Sequence, residues 1–66
     1  MTKPRVSVKI KKLRRARGWT QEALATKARI ARVTVARIEN ETETPTLETR
    51  RKLARAFDLS LTDLLD

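Results

Sequence analysis

The chain has 66 residues, of which 16 are Lys or Arg, 8 are Asp or Glu, and none is His or Cys. A chain of this length forms one small domain that buries only about 60% of its unfolded surface, so we expect no large enclosed substrate pocket. Without His or Cys the usual nucleophile–base pairs, disulfides and thiolate zinc sites cannot form. We therefore expect no enzyme activity, no catalytic residues, no metal and no cofactor.

The positive charge is concentrated in the first part of the chain. Residues 1–37 contain 12 basic residues and one acidic residue, a net charge of +11, whereas residues 38–66 contain 4 basic and 7 acidic residues, a net charge of −3. A solvated basic surface is the simple interpretation of the total charge. The uneven distribution favours a nucleic acid partner instead.

The apolar segments are too short for a membrane. No apolar run approaches the length of a membrane span, and residues 1–10 are too polar for the hydrophobic part of a secretory signal. We therefore expect a cytoplasmic protein with no membrane partner. Residues 1–7, in which Lys3 and Arg5 flank Pro4, are expected to form a basic N-terminal arm that precedes a folded domain at 8–66.

The first predicted helix begins near Val8 with Ser7 as its N-cap and stops before Gly18. Its expected inner residues are Ile10, Leu13 and Ala16. Its outer side is basic and would be stabilised by an anion such as DNA phosphate, although a solvated charged face is the alternative. The residues of that side are Lys9, Lys11, Lys12, Arg15 and Arg17.

Residues 21–40 carry the pattern of two short helices joined by a tight turn, a helix-turn-helix. Helix two is predicted at about 20–28 and the recognition helix at about 31–39. The apolar positions that would face inward are Leu24, Ala25, Ala28, Ile30, Val35 and Ile38. The opposite stripe has the spacing of one helix face and could read base edges in duplex DNA. It consists of Arg32, Val33, Ala36, Arg37 and Asn40.

The remaining segments predict a compact all-α domain of five helices. Trp19 could stack on bases, but its place beside the N-cap Thr20 favours a hydrophobic contact between helices one and two. A fourth helix follows Pro45 with Thr46 as its cap, and its inner residues would be Leu47, Leu53, Ala54 and Phe57. A fifth begins with a capping box of Ser60 and Asp63 and carries Leu61, Leu64 and Leu65.

These motifs resemble the XRE family of helix-turn-helix proteins, the Cro and lambdoid phage repressor type. The resemblance covers about residues 8–65 and rests on Ile10, Leu13, Arg14, the run 18–25, Val35, the run 37–40 and Pro45. It implies a lambda repressor-like fold in which Gln21 and Asn40 hold DNA phosphates, and we add Thr20, Lys12 and Arg15 to that phosphate-binding set. It also implies base reading by Arg32, Val33, Ala36 and Arg37, and a structural ion pair of Arg14 with Glu39.

The chain departs from the family pattern at three places. Arg29 stands where the turn after helix two usually has a left-handed Gly, which predicts strain or a different turn. Ala31 replaces the usual Ser or Thr cap of helix three, so this helix could begin later. Glu41 and Asp58 replace the glycines after helices three and four. The chain could leave both helices with altered geometry, or Asn40 could be the left-handed residue after helix three.

The function expected from these features is sequence-specific binding to double-stranded DNA as a transcriptional regulator. A repressor that binds an inverted repeat as a homodimer fits best, with a dimer surface near the C-terminus including Leu61, Leu64 and Leu65. The alternative for these leucines is that they belong to the core. The alternative is an antitoxin, in which a toxin is the protein partner and DNA binding is secondary. A basic amphipathic membrane binder is disfavoured because the core uses the apolar faces.

Overall fold

The computed structural model describes residues 5–65, without the side chain of Leu65. This part of the chain contains five helices: α1 Val6–Ala16, α2 Gln21–Ala28, α3 Arg32–Glu39, α4 Leu47–Ala56 and α5 Leu61–Leu65. The predicted all-α, five-helix fold is therefore confirmed. Most of the predicted basic arm, residues 1–4, lies outside the described residues, as does Asp66.

All five helices share one apolar core, to which α4 also contributes its C-cap residue Phe57. Burial of each large apolar side chain contributes about 1.5–3 kcal/mol to stability, which makes this core the main stabilising feature of a small domain. Trp19, Ile30 and Leu59 pack against it from the connecting segments. The fully buried large side chains are Ile10, Leu24, Val35, Ile38, Leu53, Phe57 and Leu64.

Helix α1 begins earlier than the sequence predicted. Its N-cap is Arg5, whose side chain makes no capping hydrogen bond, and Ser7 is a buried residue inside the helix. The prediction of Ser7 as the cap was therefore wrong. Ser7 and Ile10 lie three residues apart on one helix face, so beginning the helix two residues earlier, at Val6, brings both against the core. Ala16, predicted to face inward, is exposed.

The first four helices end in the same way, with a residue in the left-handed conformation. Gly18 has φ 68°, and the other three are Arg29 at 59°, Glu41 at 62° and Asp58 at 58°. The turn after α2 thus keeps the expected left-handed shape despite Arg29, and the first exit uses Glu41 rather than Asn40. For a side-chain-bearing residue this conformation costs roughly 1–2 kcal/mol. Three of these four turns are therefore strained.

The helix starts follow the predicted caps at three helices, since Ser60 Oγ also accepts a hydrogen bond from Asp63 N, at 3.1 Å, at the start of α5. Thr20 Oγ1 accepts a hydrogen bond from Ala23 N at 3.0 Å, and Thr46 Oγ1 accepts one from Thr49 N at 3.1 Å. Helix α3 begins at Arg32 directly after Ala31, which provides no side-chain cap. The missing cap has therefore not delayed the start of α3. The cap is worth about 1 kcal/mol in comparable helices.

Two leucines occupy different environments from those predicted. Leu47 is 52% exposed because it is the first residue of α4 and lies away from the helix's inner face. Leu64 is fully buried in the core. It therefore cannot form part of a dimer surface while the domain stays folded, and the prediction that placed it there was wrong. Leu61 is half-buried.

Candidate nucleic-acid interface

Helices α2 and α3 pack through small and branched apolar side chains, which leaves the opposite face of α3 in solvent. Ala25 and Ala28 of α2 are buried, and so are Val35 and Ile38 of α3. Because those residues anchor α3 from beneath, its other face projects outward as a ridge. The predicted base-reading stripe lies on that ridge. Arg32, Val33, Arg37 and Asn40 are exposed, and Ala36 is half-buried.

The chemistry of this ridge matches what the major groove of DNA offers. Val33 is 50% exposed. Exposing this apolar side chain to water is unfavourable, and contact with a thymine methyl group would bury it. The guanidinium groups of Arg32 and Arg37 can each donate two hydrogen bonds to guanine O6 and N7. Arg37 lies 3.9 Å from Glu43 Oε1 with its side chain 59% exposed, so this weak ion pair leaves it available.

A buried ion pair fixes the end of α3 against the two preceding helices. Arg14 Nε lies 2.7 Å from Glu39 Oε2, and Arg14 Nη2 donates to Glu39 Oε1 at 3.0 Å. Gln21 Nε2 donates to the same Oε1 at 3.1 Å, and Arg14 Nη1 donates to the Trp19 carbonyl at 2.7 Å. The structure thus brings the two predicted partners together. Their network joins α1, α2 and α3 and holds the ridge in one orientation.

The surroundings of the ion pair shift the pKa values of both partners. Burial acts to raise the pKa of Glu39, but hydrogen bonds from Arg14 and Gln21 and the charges of Arg14 and Lys11 outweigh it and lower that pKa. The hydrogen bond to Glu39 raises the pKa of Arg14, against a smaller opposing effect of burial. Glu39 therefore stays ionised but neutralised, so it does not repel phosphate. Sequence reasoning missed Lys11 as a neighbour of Glu39, although Lys11 lies three residues before Arg14 on the same helix face.

The predicted phosphate-binding residues fall into two groups. Gln21, at the first position of α2, and Asn40, which follows Glu39, are both adjacent to the ion pair. Thr20 is exposed and its hydroxyl already caps α2. Lys12 and Arg15 are exposed on α1, and no side-chain hydrogen bond or ion pair among residues 5–65 joins them to α3. The structure therefore brings Gln21 and Asn40 close to the ridge. Phosphate binding stays a prediction for these two residues as for Thr20, Lys12 and Arg15.

Trp19 belongs to the core rather than to the exposed ridge. Its ring stacks on Phe57 with a centroid distance of 5.4 Å and an interplanar angle of 12°. The guanidinium of Arg17 lies 5.3 Å from the Trp19 ring, and Arg17 Nη2 donates to the Phe57 carbonyl at 2.7 Å. This arrangement ties the end of α1 to the end of α4. It also removes Arg17 from the basic side predicted for helix one.

The fold and the exposed ridge define a helix-turn-helix DNA-binding protein. Residues 10–64 match the helix-turn-helix family, which is most of the chain, so the protein belongs to that family and to its XRE type. Proteins of the XRE type are DNA-binding regulators. No helix within residues 5–65 is long and apolar enough to cross a membrane.

Three known proteins show how far the similarity extends. The chain is 38% identical over 53 residues to antitoxin HipB of Escherichia coli (strain K12). The matched region covers 80% of this chain and 60% of HipB. The restriction-modification controller protein C.AhdI from Aeromonas hydrophila superposes with a TM-score of 0.86 at 30% identity, covering 91% of each chain. SinR of Bacillus subtilis, a master regulator for biofilm formation, was solved in complex with DNA. That structure gives a TM-score of 0.85 at 29% identity, and the match covers 92% of this chain and 98% of the SinR chain in it. In the SinR–SinI complex the match covers only 60% of the SinR chain.

Proposed function

We propose that the protein is a sequence-specific transcriptional repressor that places α3 in the major groove of duplex DNA. The observation that carries this proposal is the composition of the exposed ridge. Its two exposed guanidinium groups flank a half-exposed valine and a small residue that permits close approach. The proposed base-reading residues are Arg32, Val33, Ala36 and Arg37. A good bidentate arginine–guanine contact discriminates against other bases by about 1–3 kcal/mol.

The ion pair between Arg14 and Glu39 supports the proposal because it orients both ends of the DNA-binding surface. It holds the last turn of α3 against the first residue of α2, so the positive end of the α2 dipole points where a phosphate flanking the groove would lie. Phosphate contacts of this kind fix register rather than sequence. The proposed phosphate-binding residues are Gln21, Asn40, Thr20, Lys12 and Arg15.

A single helix in one half-site gives weak binding, so we extend the proposal to a homodimer on an inverted repeat. Half-sites would then lie about one helical turn of DNA apart. Because Leu64 is buried, the dimer contact would use the outer side of α5, where Leu61 is half-buried. The proposed regulatory action is repression: a dimer bound to an operator that overlaps a promoter would block the polymerase, whereas a dimer bound beside the polymerase would activate it.

Selection of bound sequences from a random duplex pool tests the proposal. The wild type and an Arg32→Ala/Arg37→Ala double variant would be selected in parallel at near-physiological salt. We expect the wild type alone to enrich an inverted repeat, because the variant keeps the fold but loses the guanidinium groups. If the wild type gives no motif, and its binding only falls as salt rises, it contacts the backbone without reading bases and the proposal fails.

The second candidate is an antitoxin, and the similarity to HipB over 53 residues is the observation that favours it. In that case the chain would bind a toxin, and DNA binding would regulate the pair. Co-expression with the product of the adjacent gene distinguishes the two functions. A stoichiometric complex that inhibits a toxic activity would favour the antitoxin, whereas an operator motif without such a partner favours a stand-alone repressor.

A further inference from the structure

A second basic surface lies away from the ridge, in a cleft between the end of α2 and the second half of α4. The cleft has a volume of about 500 Å³ and is lined by Lys27, Ala28, Arg29, Lys52 and Arg55. Four of the five lining residues are cationic. Among residues 5–65 no acidic side chain lines this basic cleft, and none of the proposed DNA-contacting residues does.

Within residues 5–65 the four cations of the basic cleft have no ionic partner. No carboxylate of residues 5–65 comes within the 4.0 Å of an ion pair with any of them. The ammonium group of Lys27 lies 4.9 Å from the centre of the Trp19 ring, which holds it in place. Four like charges facing one cavity repel one another, so the folded state gains from an anion there. A cation fixed in advance also loses less entropy when a ligand binds.

Distance separates the basic cleft from the proposed DNA surface. Lys27 follows Gln21 by six residues, so the two lie about 9 Å apart along the axis of α2. Gln21 is at the positive end of that helix dipole and Lys27 is at the negative end. The proposed DNA surface and the basic cleft therefore use opposite ends of α2 and share no residue.

The chemistry of the cleft identifies the class of ligand. We propose that the basic cleft binds an acidic segment of a partner polypeptide while the ridge is occupied by DNA. Guanidinium and ammonium groups pair with the carboxylates of Asp and Glu side chains through charge-assisted hydrogen bonds. The cleft is also too small to enclose a duplex, whereas an extended peptide places a carboxylate toward one side about every 7 Å. This inference does not depend on which DNA sequence the ridge reads.

Titration of the full chain with a fluorescent peptide of eight glutamates tests the proposal. The cleft variant is Lys52→Gln/Arg55→Gln, and the matched control is Lys12→Gln/Arg51→Gln, which removes the same charge from exposed residues outside the cleft. We expect the cleft variant to bind the peptide about tenfold more weakly, since two ion pairs are lost. In the control and in the Arg32→Ala/Arg37→Ala variant, the affinity for the peptide should change less than about threefold. Circular dichroism of each variant would check that it is folded.

Two results would overturn the proposal. Equal weakening of the cleft variant and its control would mean that the peptide senses only the net charge of the protein. Tighter binding of a dT oligonucleotide of the same charge, lost equally in the cleft variant, would assign the cleft to nucleic acid. Loss of DNA selection in the Arg32→Ala/Arg37→Ala variant reports on the ridge alone, so failure of one surface is distinguishable from failure of the other.

Discussion

The two partners of the buried ion pair should differ in how much their loss destabilises the domain. The side chain of Glu39 is 1% exposed and that of Arg14 is 12% exposed. Arg14→Met leaves a buried carboxylate with only the Gln21 amide as partner, so we expect a loss of about 3–5 kcal/mol. Glu39→Gln keeps hydrogen-bond acceptors and leaves Arg14 bonded to the Trp19 carbonyl, so we expect about 1–2 kcal/mol. For comparison, the free energy of unfolding of a domain of this size is about 3–10 kcal/mol.

The pH dependence of the stability of these variants tests whether the loss in Arg14→Met comes from an unpaired buried carboxylate. In the wild type the pKa of Glu39 is below its usual value. This carboxylate therefore stabilises the fold above the unfolded pKa of about 4.3, and the contribution is lost as pH falls through the folded pKa. In Arg14→Met we expect burial to raise that pKa above its unfolded value. The deficit of this variant should then be largest at neutral pH and shrink in acid.

Urea unfolding of the three proteins at pH 7 and pH 4, at low temperature, measures these differences. Glu39→Gln is the control, because it removes the titrating group and should show a weaker pH dependence than the wild type. Similar losses for both substitutions at both pH values would refute the reasoning. They would mean that the pair contributes only local hydrogen bonds and not the neutralisation of a buried charge.

Three further changes probe the helix ends and the core. Arg29→Gly should stabilise the domain by about 1 kcal/mol and raise the melting temperature by about 4–8 °C, because Gly relieves the left-handed strain; Arg29→Ala should not, and an equal gain for both would assign the effect to charge instead. Ala31→Ser should add about 1 kcal/mol by capping α3, seen as a higher urea midpoint with an unchanged m-value, and a lower midpoint would contradict it. Leu53→Ala should cost about 2–5 kcal/mol, and Leu47→Ala less than about 0.5 kcal/mol. Similar losses at the two leucines would contradict their different burial.

Periodicity and capping residues were sufficient to predict the fold. The inner faces of α2 and α3 follow from Leu24, Ala28, Val35 and Ile38, since only a helix pair in contact buries all of them. Thr20 and Thr46 marked the starts of α2 and α4 because a hydroxyl before an apolar-periodic run satisfies a free amide. In both cases local chemistry and global packing require the same structure.

Sequence reasoning failed where tertiary contacts override a local signal. Ser7 is a good cap residue, but burying its helix face against the core extended α1 past it. Leu64 carries the same side chain as Leu61 on the same short helix, and only the packing of α5 against α1 and α4 determines which one enters the core. The basic cleft could not be predicted either, because it joins Lys27 and Arg29 to residues more than 20 positions later in the chain.

The most direct test of the central claim is an amide NMR titration of the full chain with the duplex selected by the wild type. If α3 lies in the major groove, the largest shift changes fall on Arg32, Val33, Ala36 and Arg37, with further changes at Gln21 and Asn40. The amides of Lys52 and Arg55 should remain nearly unchanged. Shift changes confined to α4 and α5, with α3 unaffected, would contradict DNA reading by this ridge.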